Sequence, residues 1–118
     1  MPSLRYVTID CQDSKALAVF WAATLGWEVV YDEADGALVA NPVDSDPKVY
    51  LQPVPEPKAG KNRVHVDLEI DDFDRELDRL GGLGASVIST SESPDGRRSA
   101  VLGDPEGNEF CVSEAMGP

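Results

Sequence analysis

His65 is the only histidine in this 118-residue chain, and it stands among carboxylates. Asp67 comes two residues later, so in an extended strand both side chains leave the same face. An imidazole changes charge near neutral pH and can act as a hydrogen-bond partner or a general base. A carboxylate beside it can set its tautomer or steady its cation, and an acid–base pair would be His65 with Asp67 or Glu109. The plainer reading is a polar lining residue without a chemical task. Cys111 reads as a small buried thiol rather than a nucleophile, since attack requires a thiolate. Cys11 falls on the opposite strand parity, so the two cysteines are not expected to pair. The chain shows no phosphate-cradling glycine loop, Gly-x-Ser-x-Gly elbow, Cys-x-x-Cys pair or dinucleotide fingerprint.

The elements that must position these residues are written twice. The stretch from Tyr6 to Asp13 reappears from His65 to Asp72, 59 residues later. Each copy is an alternating strand that ends in aspartate and runs into a helix. Residues 4–11 put Val7, Ile9 and Cys11 on an apolar face, with Leu4, Tyr6, Thr8 and Asp10 opposite. Residues 64–71 put Val64, Val66, Leu68 and Ile70 on one face, with His65, Asp67, Glu69 and Asp71 on the other. Asp13 and Asp72 are placed to cap the helices after them. Leu17, Phe20, Trp21, Thr24 and Leu25 form one helical stripe, ended by Gly26. Phe73, Leu77 and Leu80 form the other, with its end expected at Gly81-Gly82. Trp21 and Trp27 are both expected in the core.

Three strands come after each helix: 27–32, 37–40 and 48–52 in the first copy, and 85–90, 98–102 and 109–113 in the second. Asp35-Gly36 and a turn over Pro42–Pro47 separate the first set. Pro53, Pro55, Pro57 and Gly60 interrupt the pattern between copies. That connector carries Lys58, Lys61 and Arg63, as a solvated linker or as a mobile flap. The expected organisation is one domain over 1–118, with a module at about 3–54, a linker at about 55–62 and a module at about 63–115.

Bulk properties narrow the partners. The formal charge is −12, which argues against nucleic acid and against anionic membrane surfaces, since both need a basic patch. No apolar run reaches the roughly 18 residues that span a bilayer, and no signal peptide is evident. Two cysteines are too few for a disulfide framework. A cytoplasmic protein with reduced thiols is expected.

The βαβββ order, twice in one chain, resembles the vicinal oxygen chelate superfamily, which includes the glyoxalase and bleomycin-resistance folds. Phe20-Trp21 followed by Leu25-Gly26-Trp27 is similar to its aromatic-then-Leu-Gly signature. Residues 104–108, Asp-Pro-Glu-Gly-Asn, are similar to the turn before its last strand. Residues 61–68 resemble the start of the second module in its glyoxalase-like branch. The resemblance implies an α+β fold: two βαβββ modules forming an open barrel with the helices outside. It also implies a homodimer, with exposed sheet edges to cover.

In metal-binding members of that superfamily the ligands lie on the first and fourth strand of each module. The matching positions here are Tyr6, Gln52, His65 and Cys111. Hard divalent ions want histidines and carboxylates, and a zinc site built on His65 and Cys111 would lack a third good ligand. No metal and no other cofactor is therefore expected. Tyr6, Thr8, Tyr50, Gln52, His65, Asp67, Glu109 and Cys111 would line the cavity as ligand-binding residues, with His65 the one candidate for catalysis. That set suits a neutral-to-cationic, partly aromatic small molecule. Three function classes remain open: a metal-independent small-molecule binder, a lyase, isomerase or dioxygenase of the same superfamily, and a structural dimer without ligand.

Overall fold

The computed structural model describes residues 1–43 and 45–115. Asp44, inside the expected Pro42–Pro47 turn, lies outside the described residues, as do 116–118. The chain divides into two compact units, Met1–Ala59 and Gly60–Pro118.

The first unit runs β1 (Tyr6–Cys11), α1 (Ser14–Leu25), β2 (Glu28–Glu33), β3 (Gly36–Ala40) and β4 (Lys48–Pro53). The second runs β5 (Val66–Ile70), α2 (Phe73–Leu83), β6 (Ser86–Glu92), β7 (Arg98–Gly103) and β8 (Glu109–Glu114). Each unit is thus a βαβββ module with a four-stranded sheet, in the order β1-β4-β3-β2 and β5-β8-β7-β6. The first strand of each sheet pairs parallel with the last, and the other pairs are antiparallel. Both sheets are open, so each has two edge strands.

Capping holds as the sequence predicts. Asp13 accepts from the Ala16 N–H at 3.0 Å, and Asp72 from the Arg75 N–H at 3.3 Å. Such a cap satisfies a backbone donor that the helix leaves unpaired, at a value of about 1 kcal/mol. Gly26 ends α1 at φ 69°, in the left-handed region open to glycine.

The second helix is longer than its sequence suggests. It passes through Gly81 and Gly82 to Leu83, and Gly84 ends it at φ 117°. The Gly84 N–H bonds back to the Gly81 and Leu80 carbonyls. A glycine stops a helix where the chain turns left-handed, and Gly81 and Gly82 do not turn.

Period-2 alternation separates two faces on each sheet. In the first unit Cys11, Ala37, Val39, Val49 and Leu51 are buried, together with Leu17, Ala18, Phe20 and Trp21 of α1. Phe20 and Trp21 meet edge to face at 5.5 Å. In the second unit Phe73 and Leu80 of α2 are buried with Ala100, Leu102, Phe110 and Val112. Arg98 lies 4.7 Å above the Phe73 ring and pairs with Asp74 and Glu114, each at 3.3 Å.

Three expectations are corrected. Trp27 is half-buried and precedes β2, where its N–H closes on the Ala22 carbonyl at 2.9 Å. It therefore belongs to the helix end and not to the core. Val64 is 79% exposed and outside β5, and Leu4 is 69% exposed and outside β1. The pairing begins at Tyr6 opposite Lys48 and at Val66 opposite Phe110, so the alternating pattern runs further than the pairing. No helix of the described residues is long and apolar enough to cross a membrane.

Asp104 fixes the turn into β8. Its buried carboxylate accepts from the Glu106 and Asn108 backbone N–H groups at 2.9 Å and from Asn108 Nδ2 at 3.1 Å. Asp104→Ala should lower stability by about 2–4 kcal/mol, because those donors lose a charged acceptor together. Urea unfolding followed by circular dichroism measures it, and a change under about 0.5 kcal/mol, the range of ordinary surface substitutions, would contradict the assignment.

Candidate functional site

The face of each sheet turned away from its helix carries the candidate residues. In the first unit, cross-strand partners form one transverse row: Thr8 opposite Tyr50, Tyr50 opposite Leu38, and Leu38 opposite Tyr31. Directly opposed residues share a face and touch. With Tyr6 they line a concavity of about 290 Å³. Two of its phenols are anchored at the β2–β3 turn. Tyr31 donates to the Asp35 carboxylate at 2.7 Å, and Tyr50 donates to the Asp35 carbonyl at 2.6 Å. Gly36 makes the second contact possible, since a Cβ there would collide with the Tyr50 phenol.

Tyr31 reaches this face through a β-bulge. The β2–β3 register shifts between Val29 and Tyr31. Val29 opposes Val39 of the helix-covered face, whereas Tyr31 opposes Leu38 of the open one. Unbroken alternation would have put Val29 and Tyr31 on the same side. The second unit repeats the device between Val87 and Ser89.

The open face of the second unit carries two rows. One runs Asp67, Cys111, Val101, Ser89; the next runs Glu69, Ser113, Ser99, Ser91. These residues and Arg97 line a cleft of about 400 Å³. The Ser91 and Ser99 hydroxyls are 2.8 Å apart. Burial pushes the Cys111 thiol pKa up, and the charge of Asp67, a hydrogen bond to it and the charge of Glu109 push the same way. A thiol raised above its ordinary range is not a thiolate at neutral pH and is a weak nucleophile and metal ligand. Both cysteines are free.

The expected site residues are thus distributed. Tyr6, Thr8 and Tyr50 share the first concavity, and Asp67 and Cys111 share the second. Gln52 is exposed on β4 and lines neither. His65 stands one residue before β5, with its Nε2 4.0 Å from Glu109 Oε1. Asn62 positions that corner: its N–H donates to Glu109 Oε1 at 3.2 Å and its side chain to the Glu109 carbonyl at 3.1 Å. The carboxylate near His65 is therefore Glu109, whereas Asp67 bonds to Cys111. Tyr31, the four serines and Arg97 are lining residues that sequence reasoning missed. A bulge and a strand pairing leave no local signal for the first five.

The sequence profile of the glyoxalase-like domain matches residues 6–113. The chain belongs to this family. Solved structures agree on the fold. A glyoxalase/bleomycin resistance protein/dioxygenase family enzyme from Burkholderia phytofirmans PsJN superposes with a TM-score of 0.80 at 18% identity, over 98% of this chain and 100% of that one. The fosfomycin resistance protein FosX from Mesorhizobium loti gives 0.75 at 20% identity, over 98% and 94%. Lactoylglutathione lyase from Agrobacterium tumefaciens gives 0.67 at 18%, over 96% and 93%. No curated protein matches the sequence.

The superfamily's fold implies a chelated metal, and the residues here do not fit one. Among the described residues no group of three His, Cys, Asp or Glu side chains could hold an ion. Of the four matching positions, Tyr6 belongs to the phenol-bearing concavity, Gln52 is an amide and Cys111 is a protonated thiol.

The Asp35 contact pushes the Tyr31 pKa up from 10.0 to about 12, because a phenol donating to a carboxylate loses that bond on ionising and gains a like charge beside it. Ultraviolet titration should find one of the three tyrosines ionising only near pH 12. Asp35→Ala should return it toward 10. A titration curve unchanged by that substitution would refute the anchor.

Proposed function

We propose that this glyoxalase-like protein binds a neutral-to-cationic, partly aromatic small molecule on its open sheet faces and does so without a metal. The observation that carries the reading is the row Thr8–Tyr50–Leu38–Tyr31 with Tyr6 beside it, a concavity of about 290 Å³. No helix covers these side chains, so they have no core to fill. Phenol faces attract both aromatic rings and cations, and the anchored phenols of Tyr31 and Tyr50 cost little further ordering when a ligand binds. Asp67 and Glu69 add negative potential in the second unit. Within the proposal His65 and Gln52 supply hydrogen bonds at the periphery, and Glu109 and Cys111 belong to the same recognition surface.

A second reading is an acid–base enzyme, a lyase or isomerase of the same superfamily. The approach of His65 to Glu109 favours it, since that pair could move a proton. The proposal also includes a homodimer. It is supported by the edge strands β2 and β6, which expose Val29, Val30, Val87 and Ile88 by 38–54%. Sedimentation at high micromolar concentration should show twice the 12.7 kDa chain mass, and a monomer there would remove the dimer from the proposal.

Matched cationic and anionic aromatic compounds, screened by thermal shift, test the ligand class. Cations should stabilise the protein, by about 2.7 kcal/mol at a hundredfold excess over Kd. The shift should persist after treatment with a chelator. Tyr6→Ala should weaken the hits roughly fivefold, one ring being worth about 1 kcal/mol. Preferential binding of anions, or hits indifferent to both Tyr6→Ala and His65→Ala, would overturn the reading.

A further inference from the structure

The two open faces differ in chemistry. The first unit presents rings. The second presents hydroxyls in a row across three adjacent strands: Ser113 on β8, Ser99 on β7 and Ser91 on β6. Glu69 opposes Ser113 at one end of that row, and Asp67 lies two residues away on the same strand. Arg97, next to the start of β7, lines the same cleft.

We infer that the cleft on the second unit is a subsite for a protonated amino-polyol, a ring or chain with several hydroxyls and one ammonium group. The inference rests on the small-molecule reading above, which puts ligand groups on both open faces, and gives the second face a ligand class of its own. A serine hydroxyl both donates and accepts. A line of them therefore suits a ligand whose own groups do both, and suits an aromatic ring poorly. The strands repeat about every 4.8 Å, and the Ser91 and Ser99 hydroxyls, 2.8 Å apart, form one bonded pair beside Ser113. Ser113 and that pair let more than one ligand hydroxyl bind at once.

Charge selects within that class. Asp67 and Glu69 project from one edge strand roughly 7 Å apart, from a rise of about 3.3–3.4 Å per residue. Neither has an ion-pair partner among the described residues. Two carboxylates at one side of a half-enclosed cleft favour a cation there. Arg97 adds one positive group, so the ligand's ammonium is directed toward β5 and its neutral hydroxyls toward the serines. A doubly charged cation would meet Arg97, and an anion would meet Asp67 and Glu69.

Three sugars on one scaffold separate these terms: glucosamine, glucose and glucuronate. Each is titrated into the full chain by NMR, with amide shifts locating the contact. Glucosamine should perturb Asp67, Glu69, Ser99 and Ser113, and should bind roughly tenfold more tightly than glucose, the value of one charge-assisted bond over a neutral one. Glucuronate should bind weakest. Glu69→Gln should bring glucosamine down to the glucose level and leave glucose unchanged. Asp67→Asn should act in the same direction. Ser99→Ala should weaken both sugars together. Equal or tighter binding of glucose or glucuronate overturns the inference, as does a set of perturbed amides that omits β5 and β8. If no sugar binds while an aromatic cation still perturbs Tyr6 and Tyr50, this inference falls and the small-molecule reading stands. If neither probe binds, both fall.

Discussion

Each unit has one helix and a sheet with two faces, and most of the structure stems from that shortage. A helix can cover only one face. The covered face takes the apolar half of the inner strands, including Val39, Leu51, Leu102 and Phe110, each at most 1% exposed. The other half has no protein partner within its unit. Its side chains are free of that packing demand, and here they are phenols in one unit and hydroxyls and carboxylates in the other. A polar residue on the covered face would cost core stability. On the open face it costs almost nothing, which is why phenols, hydroxyls and carboxylates collect there.

The bulges refine this division. Strict alternation along β2 would leave Tyr31 beside Val29 on the helix side, and along β6 would leave Ser89 beside Val87. One extra residue in each strand, Val30 and Ile88, reverses the parity of the residues after it. Tyr31, Ser89 and Ser91 join the open face as a result. Both bulges stand at matching points of the repeat, 58 residues apart. The duplicated backbone has kept the device while the residues it delivers have diverged. One scaffold therefore carries two different surfaces.

That divergence also bears on the chelate chemistry that the superfamily's fold implies. A metal site needs several basic donors whose lone pairs converge. In this chain the donor at one matching position is a thiol held protonated by burial and by two carboxylates, and at another it is the Tyr6 phenol. The same burial that makes Cys111 inert lets it serve as a neutral lining atom. His65 keeps a carboxylate neighbour, Glu109, which the β5–β8 register sets opposite it and to which Asn62 bonds.

The local features of this protein were legible in its sequence because their causes are local. The alternation of β1 and β5, the caps at Asp13 and Asp72, the stop at Gly26 and the order of the βαβββ repeat each depend on a few neighbouring residues. The faces assigned to Tyr6, Thr8, Tyr50, Asp67 and Cys111 came from the same rule. The end of α2 did not, because Gly81, Gly82 and Gly84 are equal in sequence and only Gly84 sits where the chain turns. The lining contributed by Tyr31, Ser89, Ser91 and Ser99 did not either. Their places depend on register between strands and on an extra residue in an edge strand. The sequence by itself determined which residues could leave the core. Only the tertiary structure decided which of them meet, because cross-strand neighbours are set by hydrogen-bonded pairing between segments far apart in the chain.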